Sequence, residues 1–69
     1  MSTELLKKIS EILNYEVVEI QDTDAELVDN SSRYFGDYCI ESLSDGETFY
    51  ITEKEDDAWY AVGYVKIVY

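Results

Sequence analysis

The sequence contains no histidine and only one cysteine in 69 residues. Without histidine, neither a Ser–His nor a Cys–His nucleophile pair can form, and a Cys/His zinc site lacks its ligands. Cys39 lies in a predicted strand with no basic neighbour in sequence to activate its thiol. A lone cysteine cannot form an internal disulfide, which suits a reducing cytosol. We therefore expect a non-enzymatic protein with no catalytic residues, no cofactor and no metal.

Long apolar runs and a leader pattern are also missing. No apolar run reaches the ~18 residues of a membrane span, and the first residues, Met1 to Glu4, lack the basic-then-apolar order of a signal peptide. The cytoplasm is the expected location. Hydrophobic residues nevertheless make up 46% of the chain, which is typical of a folded protein rather than of an acidic disordered tail. The length predicts a single domain, residues 1–69.

Positive charge is scarce. Five Lys and Arg stand against sixteen Asp and Glu, a net charge of −11. Such a field repels DNA, RNA and anionic membranes and attracts basic protein surfaces. We therefore expect a basic protein partner, for instance a nucleic-acid-binding effector, and no direct contact with nucleic acid or membrane. The alternative is that the acidity only keeps a small protein soluble.

The chain begins with a predicted amphipathic helix. Its apolar stripe recurs at helical spacing and consists of Leu5, Leu6, Ile9, Ile12 and Leu13. Ser2 or Thr3 is the expected N-cap. About eleven helical residues are too few to persist alone in water, so this helix should lie on a sheet.

The next segments are less uniform. Residues 15–21 are rich in β-branched residues and predict the first strand. Residues 25–29 fit either a short return strand or a single helical turn. Residues 33–37 are expected to form a loop that exposes two aromatic side chains, Tyr34 and Phe35.

An Asp-Gly pair at 45–46 separates two strand-like runs, residues 38–43 and 48–53. This pattern predicts a hairpin with a two-residue type I′ turn. Its register places Ile40 opposite Ile51, with Tyr38 opposite Glu53 and Glu41 opposite Tyr50.

The last eleven residues, 59–69, are apolar on both alternations, which predicts a strand covered on both faces. A five-residue loop at 54–58 would place Ile51 opposite Ala61. The row from Trp59 to Ile67 would then lie under the helix, and Tyr60 and Tyr64 would face away from it. A bulge at Gly63 would shift this alternation. The predicted fold is α+β, with one N-terminal helix packed on an antiparallel sheet of three to five strands.

Two acidic segments have the composition of ligand sites. Residues 22–26 start like an EF-hand loop, but the sixth position is Leu27 instead of glycine and the twelfth is Arg33 instead of glutamate, so calcium binding is disfavoured.

Acids at i and i+2 on a strand lie ~6.6 Å apart, close to two phosphate steps of ~3.4 Å. Glu53, Glu55 and Asp57 have this spacing, which a solvated hairpin edge also shows.

The candidate partner-binding residues combine acids with large aromatic rings, because an arginine can stack on a ring while a carboxylate pairs with it. The acids are Asp22, Asp24, Glu41, Glu53, Glu55, Asp56 and Asp57. The aromatics are Tyr34, Phe35, Tyr50, Tyr60 and Tyr64.

In size, acidity, tyrosine content and helix-plus-sheet plan the chain resembles the small inhibitors encoded by phages and mobile elements, including anti-CRISPR and DNA-mimic anti-restriction proteins. The resemblance covers composition and architecture, and no residue role follows from it. It implies stoichiometric blocking of a nucleic-acid-binding enzyme. Toxin-neutralising immunity proteins share the acidic character. A different hypothesis is a structural subunit whose C-terminal strand pairs with another chain or with a second copy.

Overall fold

The computed structural model describes all 69 residues and has one helix followed by five strands. The sheet is antiparallel throughout, with strand order β1-β5-β4-β3-β2. The predicted α+β fold is therefore confirmed. No helix is long and apolar enough to cross a membrane. The elements are α1 (Thr3–Leu13), β1 (Val17–Ile20), β2 (Arg33–Phe35), β3 (Tyr38–Ser42), β4 (Thr48–Glu55) and β5 (Ala58–Ile67).

Helix α1 begins and ends as its sequence indicates. The Ser2 hydroxyl caps it by accepting from the Leu5 N–H at 3.1 Å, which satisfies one of the free N–H groups of the first turn. Asn14 ends it in the left-handed conformation, with φ 61°, a role that asparagine tolerates. Ile9 and Leu13 are buried, and the rest of the predicted apolar stripe packs beside them.

The core lies between α1 and one face of the sheet, which we call the helix face. Eight buried side chains form it: Ile9, Leu13, Val17, Ile40, Phe49, Ile51, Val65 and Ile67. The opposite face of the sheet is called the outer face. Because successive strand residues point to opposite faces, the register assigns every strand residue to one or the other.

The β3–β4 hairpin has the predicted register but a different turn. Ile40 lies opposite Ile51, Tyr38 opposite Glu53 and Glu41 opposite Tyr50. The type I′ turn was wrong, because the loop has four residues, 44–47. Leu43 donates to the Thr48 carbonyl at 2.9 Å, and Gly46 donates back to the Leu43 carbonyl, with Gly46 at φ 74°. A four-residue loop and a two-residue turn centred on the same pair give the same register.

Asp45 organises this loop. Its Oδ1 accepts from the N–H groups of Glu47 at 3.0 Å and Thr48 at 2.8 Å, and its Oδ2 accepts from the Thr48 hydroxyl. These bonds, the one from the Thr48 hydroxyl first, lower the pKa of Asp45 below its ordinary value. The charged form of Asp45 therefore stabilises the fold.

This predicts a pH-dependent contribution. The pKa of Asp45 is lower in the folded protein than in the unfolded chain, where it is about 3.9. Ionised Asp45 therefore adds stability above that unfolded value, and this stability is lost as the pH falls through the folded pKa. In Asp45→Asn an amide nitrogen replaces Oδ2, and this nitrogen cannot accept the hydrogen bond from the Thr48 hydroxyl. The substitution should lower the free energy of unfolding by about 1 kcal/mol at pH 7. Urea denaturation at pH 7 and at pH 2 measures both proteins. A gap of equal size at the two pH values would contradict the assignment.

The β4–β5 hairpin differs from the prediction. The expected five-residue loop is a two-residue turn, in which Glu55 lies opposite Ala58 and both Asp56 and Asp57 have positive φ, 50° and 68°. Positive φ at both central positions defines a type I′ turn. Aspartate tolerates this conformation because its short polar side chain bonds locally.

A bulge then shifts the pairing further. Thr52 lies opposite Ala61, but Ile51 lies opposite Gly63, so Val62 is an extra residue in β5. Gly63 has φ 155°, where side-chain-bearing residues are strained. The predicted partner of Ile51, Ala61, was therefore wrong. The bulge at Gly63, considered as an alternative, is present.

These shifts exchange the faces of the first part of β5. Trp59 lies opposite Lys54 on the outer face, and Tyr60 lies opposite Glu53 on the helix face, the reverse of the prediction. Ala61 is exposed instead of lying under the helix, and Val62 packs against the core. Beyond the bulge the prediction is correct, since Val65 and Ile67 are buried under α1.

The β1–β2 connection carries the chain from one edge of the sheet to the other. Within it, Leu27 forms a single antiparallel bridge with Leu43, so residues 25–29 are neither a full strand nor a helical turn. Residues 33–35 form edge strand β2, which corrects the loop expected there. β1 is shorter than predicted, at four residues.

Candidate partner-binding surface

The β4–β5 hairpin extends beyond its neighbours in the sheet. β3 pairs with β4 only as far as Glu53, and β1 pairs with β5 only from Tyr64 to Ile67. Residues 54–61, which we call the hairpin tip, therefore project from the body of the protein. Their turn position and lack of neighbouring strands leave most of them exposed.

Large aromatic side chains surround the hairpin tip. Trp59 is 45% exposed and Tyr60 57% exposed, on opposite faces of the hairpin. On the outer face, Tyr34 from β2 contacts Trp59, with ring centroids 5.8 Å apart and planes at 57°. Tyr34 is itself 69% exposed. The two rings hold each other in place while leaving apolar area for a partner.

The acids of the tip have no cationic partner in the chain. The structure contains two ion pairs, Met1 ammonium–Glu19 at 2.9 Å and Lys66–Glu47 at 3.2 Å. Glu55, Asp56 and Asp57 are exposed and take part in neither. These three carboxylates therefore face solvent beside Trp59 and Tyr60, and Lys54 is the one cation within the tip.

The predicted row of alternating acids is only partly present. Glu53 and Glu55 lie on the same face of β4, but Asp57 lies in the turn and does not continue the row. Glu53 is half-buried beside Tyr38. Partial burial raises the pKa of Tyr38, and the negative charge of Glu53 raises it further.

A second aromatic pair lies on the outer face nearer the middle of the sheet. Tyr50 and Tyr64 are cross-strand partners with ring centroids 5.1 Å apart. Glu41 is the partner of Tyr50 on the other side. The predicted shared face of these three residues is confirmed, while Tyr60 lies elsewhere. All three are half-buried, so they offer less contact area than the tip.

The remaining predicted residues lie apart from the tip. Asp22 and Asp24 belong to the β1–β2 connection, where Asp22 Oδ1 accepts from the Thr23 N–H at 2.8 Å. Phe35 stacks on Tyr38, with centroids 5.3 Å apart, and lines an open groove of ≈ 800 Å³ beside α1. The twelve candidates therefore do not form one continuous face.

The tip also contains a residue that the sequence analysis did not select. The sequence predicts Trp59 under the helix because a five-residue loop at 54–58 sets that register. The available signal was the pair Asp56-Asp57, since adjacent aspartates can occupy a two-residue turn and this turn reverses the face of Trp59.

No group of three or more Asp, Glu or Cys side chains is arranged to hold a metal ion.

Comparison with known proteins found no matching family model, no matching curated protein and no matching solved structure.

Proposed function

We propose that this protein is an acidic binding module that inhibits a nucleic-acid-binding protein by docking its hairpin tip on a basic surface. The observation that supports this most is the composition of the tip. Three exposed carboxylates without cationic partners lie next to the exposed rings of Trp59 and Tyr60. Arginine-rich surfaces bind such sets, because the guanidinium stacks on a ring and pairs with a carboxylate.

The charge of the whole chain supports the same partner. A net charge of −11 steers a basic protein toward the module and increases the association rate at low salt. Glu53 and Glu55 on one face of β4 have the ~6.6 Å separation of alternate strand residues, which approximates two phosphate steps. We extend the proposal to partial mimicry of a nucleic-acid backbone, as in phage anti-defence inhibitors that act in the cytoplasm.

The competing assembly hypothesis is less well supported. It arose from the two-sided apolar character of the last strand. Residues 64–67 of β5 lie between β1 and β4, with α1 over Val65 and Ile67. The two edges of this part of the strand and its helix face are thus filled within one chain.

The test uses Trp59, the single tryptophan, as a fluorescent reporter within the tip. The probe is an arginine-rich peptide of about ten residues. Glu55→Gln, Asp56→Asn and Asp57→Asn together remove three charges while keeping side-chain size, and asparagine retains the left-handed turn. We expect about tenfold weaker binding at low salt, since three lost charge contacts of about 0.5 kcal/mol each sum to about 1.5 kcal/mol and about 1.4 kcal/mol is a factor of ten.

A matched control changes Glu11→Gln, Glu16→Gln and Asp29→Asn, three exposed acids away from the tip. It has the same net charge as the tip variant. Equal weakening by both variants would show that charge acts over the whole surface, and the tip would lose its role. In a host extract, a protein captured by the wild type and the control should be released by the tip variant. Addition of the module should then displace DNA or RNA from that protein.

A further inference from the structure

The first part of β5 has an unpaired edge. β1 begins to pair with β5 at Tyr64, so residues 58–63 have β4 on one side and no strand on the other. The Lys54 N–H donates to the Asp37 carbonyl at 2.6 Å, on the side away from β5. In an antiparallel pair, residues opposite each other point their backbone groups alike, both inward or both outward. Trp59, opposite Lys54, therefore directs its N–H and carbonyl outward, and so does Ala61.

We infer that this edge accepts an extended, arginine- and lysine-rich segment of the partner as an added strand. The inference rests on the proposed function and specifies how the basic partner is held. An added strand continues the line of β1 across the tip and ends at the Gly63 bulge. Five or six residues at ~3.4 Å each span this edge. Main-chain bonds supply affinity in this mode, and alternate side chains supply specificity.

The side chains around the edge fit such a segment. Ala61 is small and exposed, so nothing of its own covers the backbone. Alternate residues of the added strand point to the outer face, where Trp59 contacts Tyr34. The others point to the face of Tyr60 and Glu55. On the outer face a basic side chain meets the rings of Trp59 and Tyr34, with Lys54 across the hairpin, and on the other face it meets Tyr60 and Glu55.

Charge decides between the two occupants that such an edge could take. A second copy of this chain would bring a second net charge of −11, its own tip acids included, to the same edge, and like charges across a short distance repel. The tip acids thus protect the edge from self-pairing, as charged residues do at other sheet edges. The same carboxylates attract a basic segment instead of repelling it.

The edge is tested with Ala61→Pro and the matched control Ala61→Thr. Proline removes the outward N–H and places its ring where the added strand would lie, and it is tolerated at an edge facing solvent. Threonine keeps the N–H. With the arginine-rich peptide and Trp59 fluorescence, we expect Ala61→Pro to lose at least about tenfold in affinity and Ala61→Thr to stay within about threefold. Circular dichroism establishes that each variant is folded.

Amide hydrogen exchange on the wild-type protein is an independent measurement. Saturation with the peptide should slow exchange at Trp59 and Ala61, and leave Tyr60, whose N–H faces β4, unchanged. If Ala61→Pro fails to fold, this measurement decides alone. Unchanged exchange at Trp59 and Ala61 overturns the inference.

The proposed function is judged separately by the tip charge variant. If that variant loses binding while Ala61→Pro binds normally, the edge is not used and the proposed function remains. If neither variant changes peptide binding, both proposals fall. A dimer without peptide that Ala61→Pro dissociates would assign the edge to a second copy instead.

Discussion

Ile51→Ala is expected to lower the free energy of unfolding by about 2–5 kcal/mol, the range for removing a fully buried isoleucine side chain beyond Cβ. Ile51 is 0% exposed and lies in the middle of the sheet, opposite Ile40 on one strand and Gly63 on the other. A chain of this length has a total stability of roughly 3–10 kcal/mol. The variant should therefore lose a large part of its stability, and its urea midpoint should fall in proportion. Urea denaturation followed by far-ultraviolet circular dichroism measures the loss.

Ile51→Val is the matched control for this position. It keeps the β-branched shape and removes one methyl group, so we expect a loss of about 1 kcal/mol. If Ile51→Ala lost no more than Ile51→Val, the site would be able to collapse around the smaller side chain. That outcome would contradict the central place of Ile51 in the core.

Gly63→Ala is expected to lower the free energy of unfolding by about 1–3 kcal/mol, because a residue with a Cβ is strained in this backbone conformation. Gly63 has φ 155°. An added Cβ would also lie 3.3 Å from Glu19 Oε2 and 3.5 Å from Met1 Cε. These atoms belong to the side of the sheet where the Met1 ammonium binds Glu19. The same denaturation assay measures this loss.

Gly36→Ala separates the contribution of this site from the general cost of replacing a glycine. Gly36 also has positive φ, 54°, but an added Cβ would meet nothing within 4 Å. Its conformation lies in the left-handed region that other residues occupy at a cost of about 1 kcal/mol. A Gly63→Ala loss no greater than the Gly36→Ala loss would show that β5 does not need its bulge.

The helix and the β3–β4 register were predictable because each depends on local patterns. Five apolar residues at helical spacing mark one face of α1, and Ser2 marks its start. The turn around Asp45 and Gly46 was assigned the wrong type, yet the register remained correct, because both possible loops are symmetric about the same pair. An error in turn type is harmless when the centre of the turn is right.

The β4–β5 register was not predictable in the same way. The acidic run from Glu53 to Asp57 was interpreted as a loop, whereas β4 continues through Glu55 and only Asp56 and Asp57 form the turn. The bulge then adds Val62. The shorter turn and the bulge each move the partner of Ile51 one residue toward the C-terminus of β5. Ile51 therefore lies opposite Gly63 instead of Ala61. A one-residue slip reverses the faces of a strand, and for this reason Trp59 and Tyr60 exchanged places.

The acids and aromatics of the candidate surface were selected correctly by type but not by arrangement. Composition indicates that such residues are abundant, while their grouping depends on where the strands end. Glu55, Asp56 and Asp57 come together with Tyr60 at the tip, whereas Asp22 and Phe35 lie elsewhere. Only the pairing limits of β1 and β3 reveal that the tip projects.

The position of β5 inside the sheet has a consequence for the order in which the chain folds. Val17 pairs with Ile67, which lies fifty residues later in the sequence, and the helix rests partly on Val65 and Ile67. The β2–β3–β4 meander can form from local contacts, but α1 and β1 have no complete surface to join until β5 is in place. Pairings between distant residues are slow because the intervening chain must be ordered first. We therefore expect α1 and β1 to dock late in folding, with their apolar side chains exposed until β5 has been synthesised.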